Sequence, residues 1–338
     1  MIAWTILPLV VVLSWLMTGA LRRYALARSI IDVPNARSSH TIPTPRGGGV
    51  AIVVVFLLAI PFLSGFDLLQ SDAAFALVGA GLGIALLGFL DDHGHVAARW
   101  RLLGHFLSAA WVLYWLGGLP AVMVFGHAVD VGWWGHAFAL FYLVWLLNLY
   151  NFMDGIDGLA SIEAISVCLG GALLYSLLNQ QALAVLPISL ACAVLGFLIW
   201  NFPPAKIFMG DAGSGFLGIT LGVFSLQAAW ISPSLFYGWL ILLGVFIVDA
   251  TATLLRRLLR GEKVYEAHRS HAYQYASRQY ARHLPVTLGV LFINVLWLLP
   301  LACVVTLGLL DGALGLIIAY VPLVLLALKY RAGQAEIR

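Results

Sequence analysis

The placing of positive charge constrains the fold of this chain more than any single motif does. All 18 lysines and arginines fall in five places: Arg22 to Arg46, Arg99 to Arg101, Lys206, Arg256 to Arg282, and Lys329 to Arg338. The stretches between them are apolar and long enough to cross a bilayer, which takes about 20 residues as a helix. With 62% hydrophobic and 10% charged residues and a mean hydropathy of +0.98, an ordinary soluble domain is excluded. Barrel strands would alternate polar and apolar residues, and these stretches do not. The chain therefore reads as an all-α, polytopic membrane protein. About eleven transmembrane helices are expected, at 2–21, 47–64, 73–90, 102–118, 136–152, 160–178, 182–200, 212–230, 235–255, 286–306 and 312–329.

On that division the basic clusters follow the first, third, seventh, ninth and eleventh spans, and no even-numbered loop has any. Basic loops stay in the cytoplasm, so the N-terminus is expected outside and the C-terminus inside. The net charge of +3 is then a matter of topology and gives no ground for a nucleic-acid partner. Met1 to Leu21 lacks a basic leader and a small-residue cleavage site, and reads as a retained first helix. Residues 1–338 read as a single transmembrane domain with cytoplasmic loops near 22–46, 91–101, 153–159, 201–211 and 256–285. Cys168, Cys192 and Cys303 lie inside apolar spans and carry no disulfide or metal spacing.

Polar residues collect at the ends of these spans. Asn148, Asn151, Asp154 and Asp157 recur every third residue in NLYNFMDGIDGLA, and no lysine or arginine lies between Arg101 and Lys206 to neutralise them. Asp154 and Asp157 thus need water, a metal or basic groups from distant loops, although a polar turn between helices is the plainer reading. In the first loop, Arg37, His40 and Arg46 precede Gly47-Gly48-Gly49. Three bare glycine N–H groups at a helix start would suit an anion, while a basic stop-transfer loop would also account for the arginines. Asp91 and Asp92 are adjacent and repel one another, which a divalent cation or a shared proton would relieve. Beside them stand His93, His95, Arg99 and Arg101.

Asp211 sits between glycines with Phe208 upstream. The acid could complete a metal shell or merely cap a helix, and the ring could stack on a base. Asp249 is taken as the one acid inside a span, close enough to its end to pair with Arg256 or Arg257. His268, Arg269 and His271 in HRSH suit a diphosphate better than closed metal ligation, or simply form a basic lip over anionic lipid.

Taken in order, PRGGG, FLDD, NFMDGIDGLA, FMGDAGSG and HRSH resemble the motifs of the polyprenyl-phosphate N-acetylhexosamine-1-phosphate transferases, the WecA/MraY family, from about Asp32 to His271. RSSH and HRSH look most like the O-antigen-initiating, WbpL-type members. The peptidoglycan branch has lysines after its aspartate pair where this chain has His95, Arg99 and Arg101, which argues against a muramoyl-pentapeptide donor. The resemblance implies an enzyme of the bacterial inner membrane, its site facing the cytoplasm. It would take UDP-N-acetylhexosamine and undecaprenyl phosphate among the membrane lipids, and a homodimer is allowed. Mg²⁺, or Mn²⁺ in its place, is the implied cofactor. It would be held by Asp211 with Asp91 and Asp92, one of which orients the lipid phosphate. Asn151, Asp154, Asp157 and Phe208 would hold the nucleotide, while Arg46, His268, Arg269 and His271 would hold the diphosphate and sugar. The rival is an ion-coupled secondary transporter, which would place its acids near the bilayer midplane on repeated halves.

Overall fold

Each apolar stretch is helical, because a chain in lipid must satisfy its backbone groups internally. The computed structural model describes residues 2–34, 38–94, 96–262 and 269–334, so Arg37, His95 and His268 lie outside the described residues. The helices are α1 (Ile2–Ala27), α2 (Val50–Gly65), α3 (Ser71–Gly94), α4 (Ala98–Leu116), α5 (Trp133–Met153), α6 (Leu159–Leu177), α7 (Gln181–Asn201), α8 (Asp211–Ile231), α9 (Pro233–Leu242), α10 (Gly244–Leu259), α11 (Ala272–Tyr280), α12 (Leu284–Ile293), α13 (Leu299–Thr306) and α14 (Gly312–Lys329). A π-helical turn, Asn294–Leu298, joins α12 to α13. Two short antiparallel pairs complete the fold: β1 (Ile31–Asp32) with β2 (Thr44–Pro45), and β3 (Val122–Val124) with β4 (His127–Val129).

All eleven expected spans coincide with helices, yet they are not equal. Eight are long and apolar enough to cross a membrane, or nine if α9 and α10 form one span broken by a 68° bend. At 16 residues α2 is short of a full crossing, and α4 carries Arg99, Arg101 and His105. The expected ninth helix is the broken one, and no proline marks the break, only Gly244, where a Cβ would lie 3.0 Å from the Tyr320 ring. Two expected loops are partly helical. The final turn of α3 carries Asp91 and Asp92, and α11 occupies part of the long basic loop.

Helix α8 is the hub, buried over nearly its whole length and packed by both α3 and α5. Outer faces stay apolar, with Leu58, Phe62, Phe138, Phe141 and Leu296 all exposed, as lipid contact requires. Asp249 is not the only acid within a span. Glu163, in the second turn of α6, has no exposed surface.

Candidate active site

The ends of α3, α5 and α7 and the starts of α2, α4, α6, α8 and α12 converge at one end of the bundle. A polar cavity of about 220 Å³ lies there, lined by residues at these ends other than α4's and by Gln274 of α11. Its floor is a short ribbon of backbone. Phe208 donates its N–H to the Pro45 carbonyl (2.8 Å), and Gly48 and Gly49 donate theirs to the carbonyls of Phe208 and Met209, both at 2.9 Å. The expectation of bare glycine donors for an anion is therefore corrected at these two positions. Their N–H groups are spent, and their role is closeness: a Cβ on Gly49 would lie 2.6 Å from the Gly213 Cα.

Adjacent in sequence, Asp91 and Asp92 point to different partners, so their repulsion is relieved by two arginines. Asp92 is buried. It accepts the N–H groups of Asp211 (3.3 Å) and Ala212 (3.5 Å) at the start of α8, and lies 3.9 Å from Arg46, which donates to its backbone carbonyl. Asp91 accepts from the Val96 N–H at 2.7 Å and from the Arg101 guanidinium, which is also 3.7 Å from Asp211. Asp91 and Arg101 face a second cavity, about 160 Å³, walled by Ile84, Leu87, Leu102 and Leu147. Asn151 and Asp211 line both cavities.

Asp157 finds the distant basic group that its sequence neighbourhood lacks. His283, at the start of α12, holds Nδ1 3.2 Å from the Asp157 Oδ2 and donates from Nε2 to the Ser39 carbonyl at 3.0 Å. The Ala205 N–H gives Asp157 a further bond at 3.1 Å. Asp154 has no hydrogen-bond or ion-pair partner for its carboxyl among the described residues. Burial, and then the charges of Asp211, Asp92 and Asp157, push it well above the usual carboxylate range. Five acids thus line one cavity, Asp32, Asp92, Asp154, Asp157 and Asp211, with Asp154 uncompensated among the described residues, which is a charge imbalance that a divalent cation would relieve. No preformed set of three ligands exists among the described residues. Mg²⁺ in general takes one or two carboxylates and completes its shell with water and substrate phosphate.

Asn151 accepts from the Ser214 hydroxyl at 2.6 Å, and Phe208 lines the cavity with the His40 ring edge-on at 4.8 Å. His271 and Arg269 do not line it. The His271 ring is buried, 3.4 Å from Asp249 and stacked on Tyr273, so it fixes the histidine loop instead of facing the cavity. Asp249 does not pair with Arg256 or Arg257. It accepts the N–H groups of Ala272 (2.9 Å) and Tyr273 (3.0 Å) and so caps α11. Sequence reasoning missed His283 and Gln274, both on the cavity wall, and Asn201, which braces Gly158 against Ile207. None of the three lies inside the motifs read from the sequence.

The His283 contact predicts a pH effect. Burial alone would lower its pKa, but the hydrogen bond and charge of Asp157 and the Ser39 carbonyl outweigh it and raise it. The pair's contribution to stability is then full below the unfolded value, about 6.5, and is lost as pH rises through the raised folded value. Melting temperature in detergent should fall more steeply between pH 6 and 9, roughly the range of such a histidine, for the parent than for His283→Gln. Equal slopes would dismiss the pair.

Acids and arginines gathered at the ends of apolar helices, around a polar cavity backed by an apolar one, define a polytopic membrane protein whose site suits phosphate chemistry. The profile of glycosyl transferase family 4 matches residues 74–229. A probable undecaprenyl-phosphate N-acetylglucosaminyl 1-phosphate transferase of Bacillus subtilis is 31% identical over 263 residues, 76% of this chain and 72% of that protein. A phospho-N-acetylmuramoyl-pentapeptide-transferase of Pelotomaculum thermopropionicum is 31% identical over 262 residues, 71% of this chain and 77% of that protein. A decaprenyl-phosphate N-acetylglucosaminephosphotransferase of Mycobacterium tuberculosis is 31% identical over 302 residues, 77% and 72%. The chain belongs to this WecA/MraY-like family of polyprenyl-phosphate phosphosugar transferases, glycosyl transferase family 4. The transporter reading falls with that relationship.

Proposed function

We infer that this protein transfers an N-acetylhexosamine 1-phosphate from a UDP-sugar to undecaprenyl phosphate, releasing UMP. The setting is the cytoplasmic face of a bacterial inner membrane. The single observation that carries this reading is the junction of two unlike cavities at Asp211 and Asn151, one polar and acid-lined, the other mostly apolar and holding Arg101. A nucleotide diphosphate suits the first and the phosphate end of a lipid the second.

In this reading, a lipid phosphate oxygen attacks the β-phosphorus of the donor, the bond from that phosphorus to the bridging oxygen breaks, and UMP departs with the electron pair. Two anions must meet in line, so positioning and charge neutralisation dominate. Arg101 and Asp91 would orient the lipid phosphate. Phe208, Asn151 and Asp157 would hold the nucleotide, with Arg46 beside the diphosphate, and Arg269 and His268 remain candidates for the sugar side. Asp211 and Asp154 would hold Mg²⁺ or Mn²⁺, with Asp92 positioning the α8 end that bears Asp211. Bound there, the ion would neutralise diphosphate oxygens and draw charge from the leaving group. The RSSH and HRSH motifs support a role in starting O-antigen or a related glycan, with UDP-GlcNAc or a 6-deoxy donor such as UDP-FucNAc or UDP-QuiNAc.

The test is a donor labelled at the β-phosphate, run across a panel of UDP-sugars. Label should enter the lipid extract in step with UMP, and added UMP should reverse the reaction, because one diphosphate bond replaces another. Label retained in released UDP would refute the mechanism.

A further inference from the structure

Three residues on one face of α12 and the turn after it reach across to the Asp154–Gly158 loop and to α6. His283 holds the Asp157 carboxylate, Thr287 donates its hydroxyl to the Asp157 carbonyl at 2.9 Å, and Asn294 meets Glu163. Spacings of four and seven residues keep all three on the same side of a helix. The last contact lies deep in the apolar core: Glu163 has no exposed surface and Asn294 has 2%. The Asn294 amide donates from Nδ2 to the Glu163 Oε2 and to the Ser166 hydroxyl, both at 2.7 Å.

Two atoms are left over. Glu163 Oε1 and Asn294 Oδ1 are both buried and have no hydrogen-bond partner among the described residues. Both are acceptors, and they belong to the two groups already joined by an N–H···O bond. A single hydrogen between them would satisfy both at once. No cation offers an alternative, since residues 102–205, 207–255 and 283–328 contain no lysine or arginine, and these cover all of α5 to α9 and α12 to α13. His283, the histidine at the head of α12, is engaged by Asp157 and Ser39.

We propose that Glu163 carries a proton and forms a two-bond carboxylic acid–carboxamide pair with Asn294, which locks α12 to α6 and thereby positions Asp157 in the nucleotide pocket. The π-helical turn fits this role. It begins at Asn294, and such a widened turn inside an α-helix often serves to place a side chain. Glu163 is a positioning residue, acting on substrate only through α12 and the loop. The kinetic arm of the test rests on the phosphosugar-transferase reading, whereas the spectroscopic arm does not.

Infrared difference spectra of the parent against Glu163→Gln at neutral pH should show the carbonyl band of a protonated carboxylic acid in the parent only. Carboxylate bands in its place would overturn the proposal. In Glu163→Gln, two amides can make the same pair of bonds, so donor KM and kcat should stay within about twofold of the parent. Glu163→Ala and Asn294→Leu should raise donor KM about tenfold with kcat nearly kept, the pattern of lost ground-state binding. A folded Glu163→Ala protein with parental KM, or Glu163→Gln behaving like Glu163→Ala, would overturn it. If Glu163→Ala cannot be obtained folded, the infrared band and the Glu163→Gln kinetics decide. Absence of any transfer activity in the parent would fault the functional reading and leave the infrared result to judge the pair.

Discussion

Asp211→Asn should lower transfer by at least about 100-fold while leaving membrane insertion and melting close to the parent's, because charge stabilisation at a metal-assisted phosphoryl centre amounts to several kcal/mol. The substitution is isosteric and leaves the backbone N–H that Asp211 donates to Asp92 in place, so the start of α8 stays capped. What it removes is the carboxylate shared by both cavities, the one that faces Arg101 on one side and the acid cluster on the other. Turnover should be measured against Mg²⁺ concentration. Near-parental rates, or a parent fully active in EDTA, would end the metal assignment.

Gly88→Ala is expected to act as strongly by a different route. A Cβ there would lie 2.5 Å from the Ala212 nitrogen and from the Asp211 carbonyl carbon, both backbone atoms that cannot turn aside. The end of α3, with Asp91 and Asp92, must then move away from the start of α8. A shift of about 1 Å in such a constellation costs on the order of 100-fold in rate. Forcing it into a packed interface costs about 1–3 kcal/mol of stability. Gly94→Ala, six positions on in the same helix, meets nothing within 4 Å and serves as the control. Equal melting temperatures and rates for the two variants would show that α3 and α8 tolerate separation.

These two residues mark how far the sequence could be read. Asp211 stood out because an acid between glycines at the start of an apolar span is rare and costly. The helices were legible for the same reason, since apolar length is a local property. What escaped was every partnership between distant segments. Arg46 and Arg101 were visible as basic residues, but nothing in FLDD says which aspartate takes which arginine. Asp249 was expected to meet the arginines about two turns along its own helix, and it caps α11 instead. His283 lies 126 residues from the Asp157 it touches and 244 from Ser39. Glu163 was passed over although the expected span 160–178 contains it. Its zero exposure is what shows that it faces the bundle interior.

The tie between His283 and Ser39 also bears on how such a protein is made. Ser39 is synthesised early, and its partner leaves the ribosome only after most of the helices have been inserted. Until then the first loop also waits for Phe208 and Met209, whose carbonyls take up the Gly48 and Gly49 amides. A nascent chain released before α12 would hold many of its helices in the bilayer but lack the clasp that closes the first loop over the cavity. Ribosome-stalled chains of increasing length should therefore gain protection of the Ser39 region from labelling late and in two stages, first after residue 213 and again after residue 287.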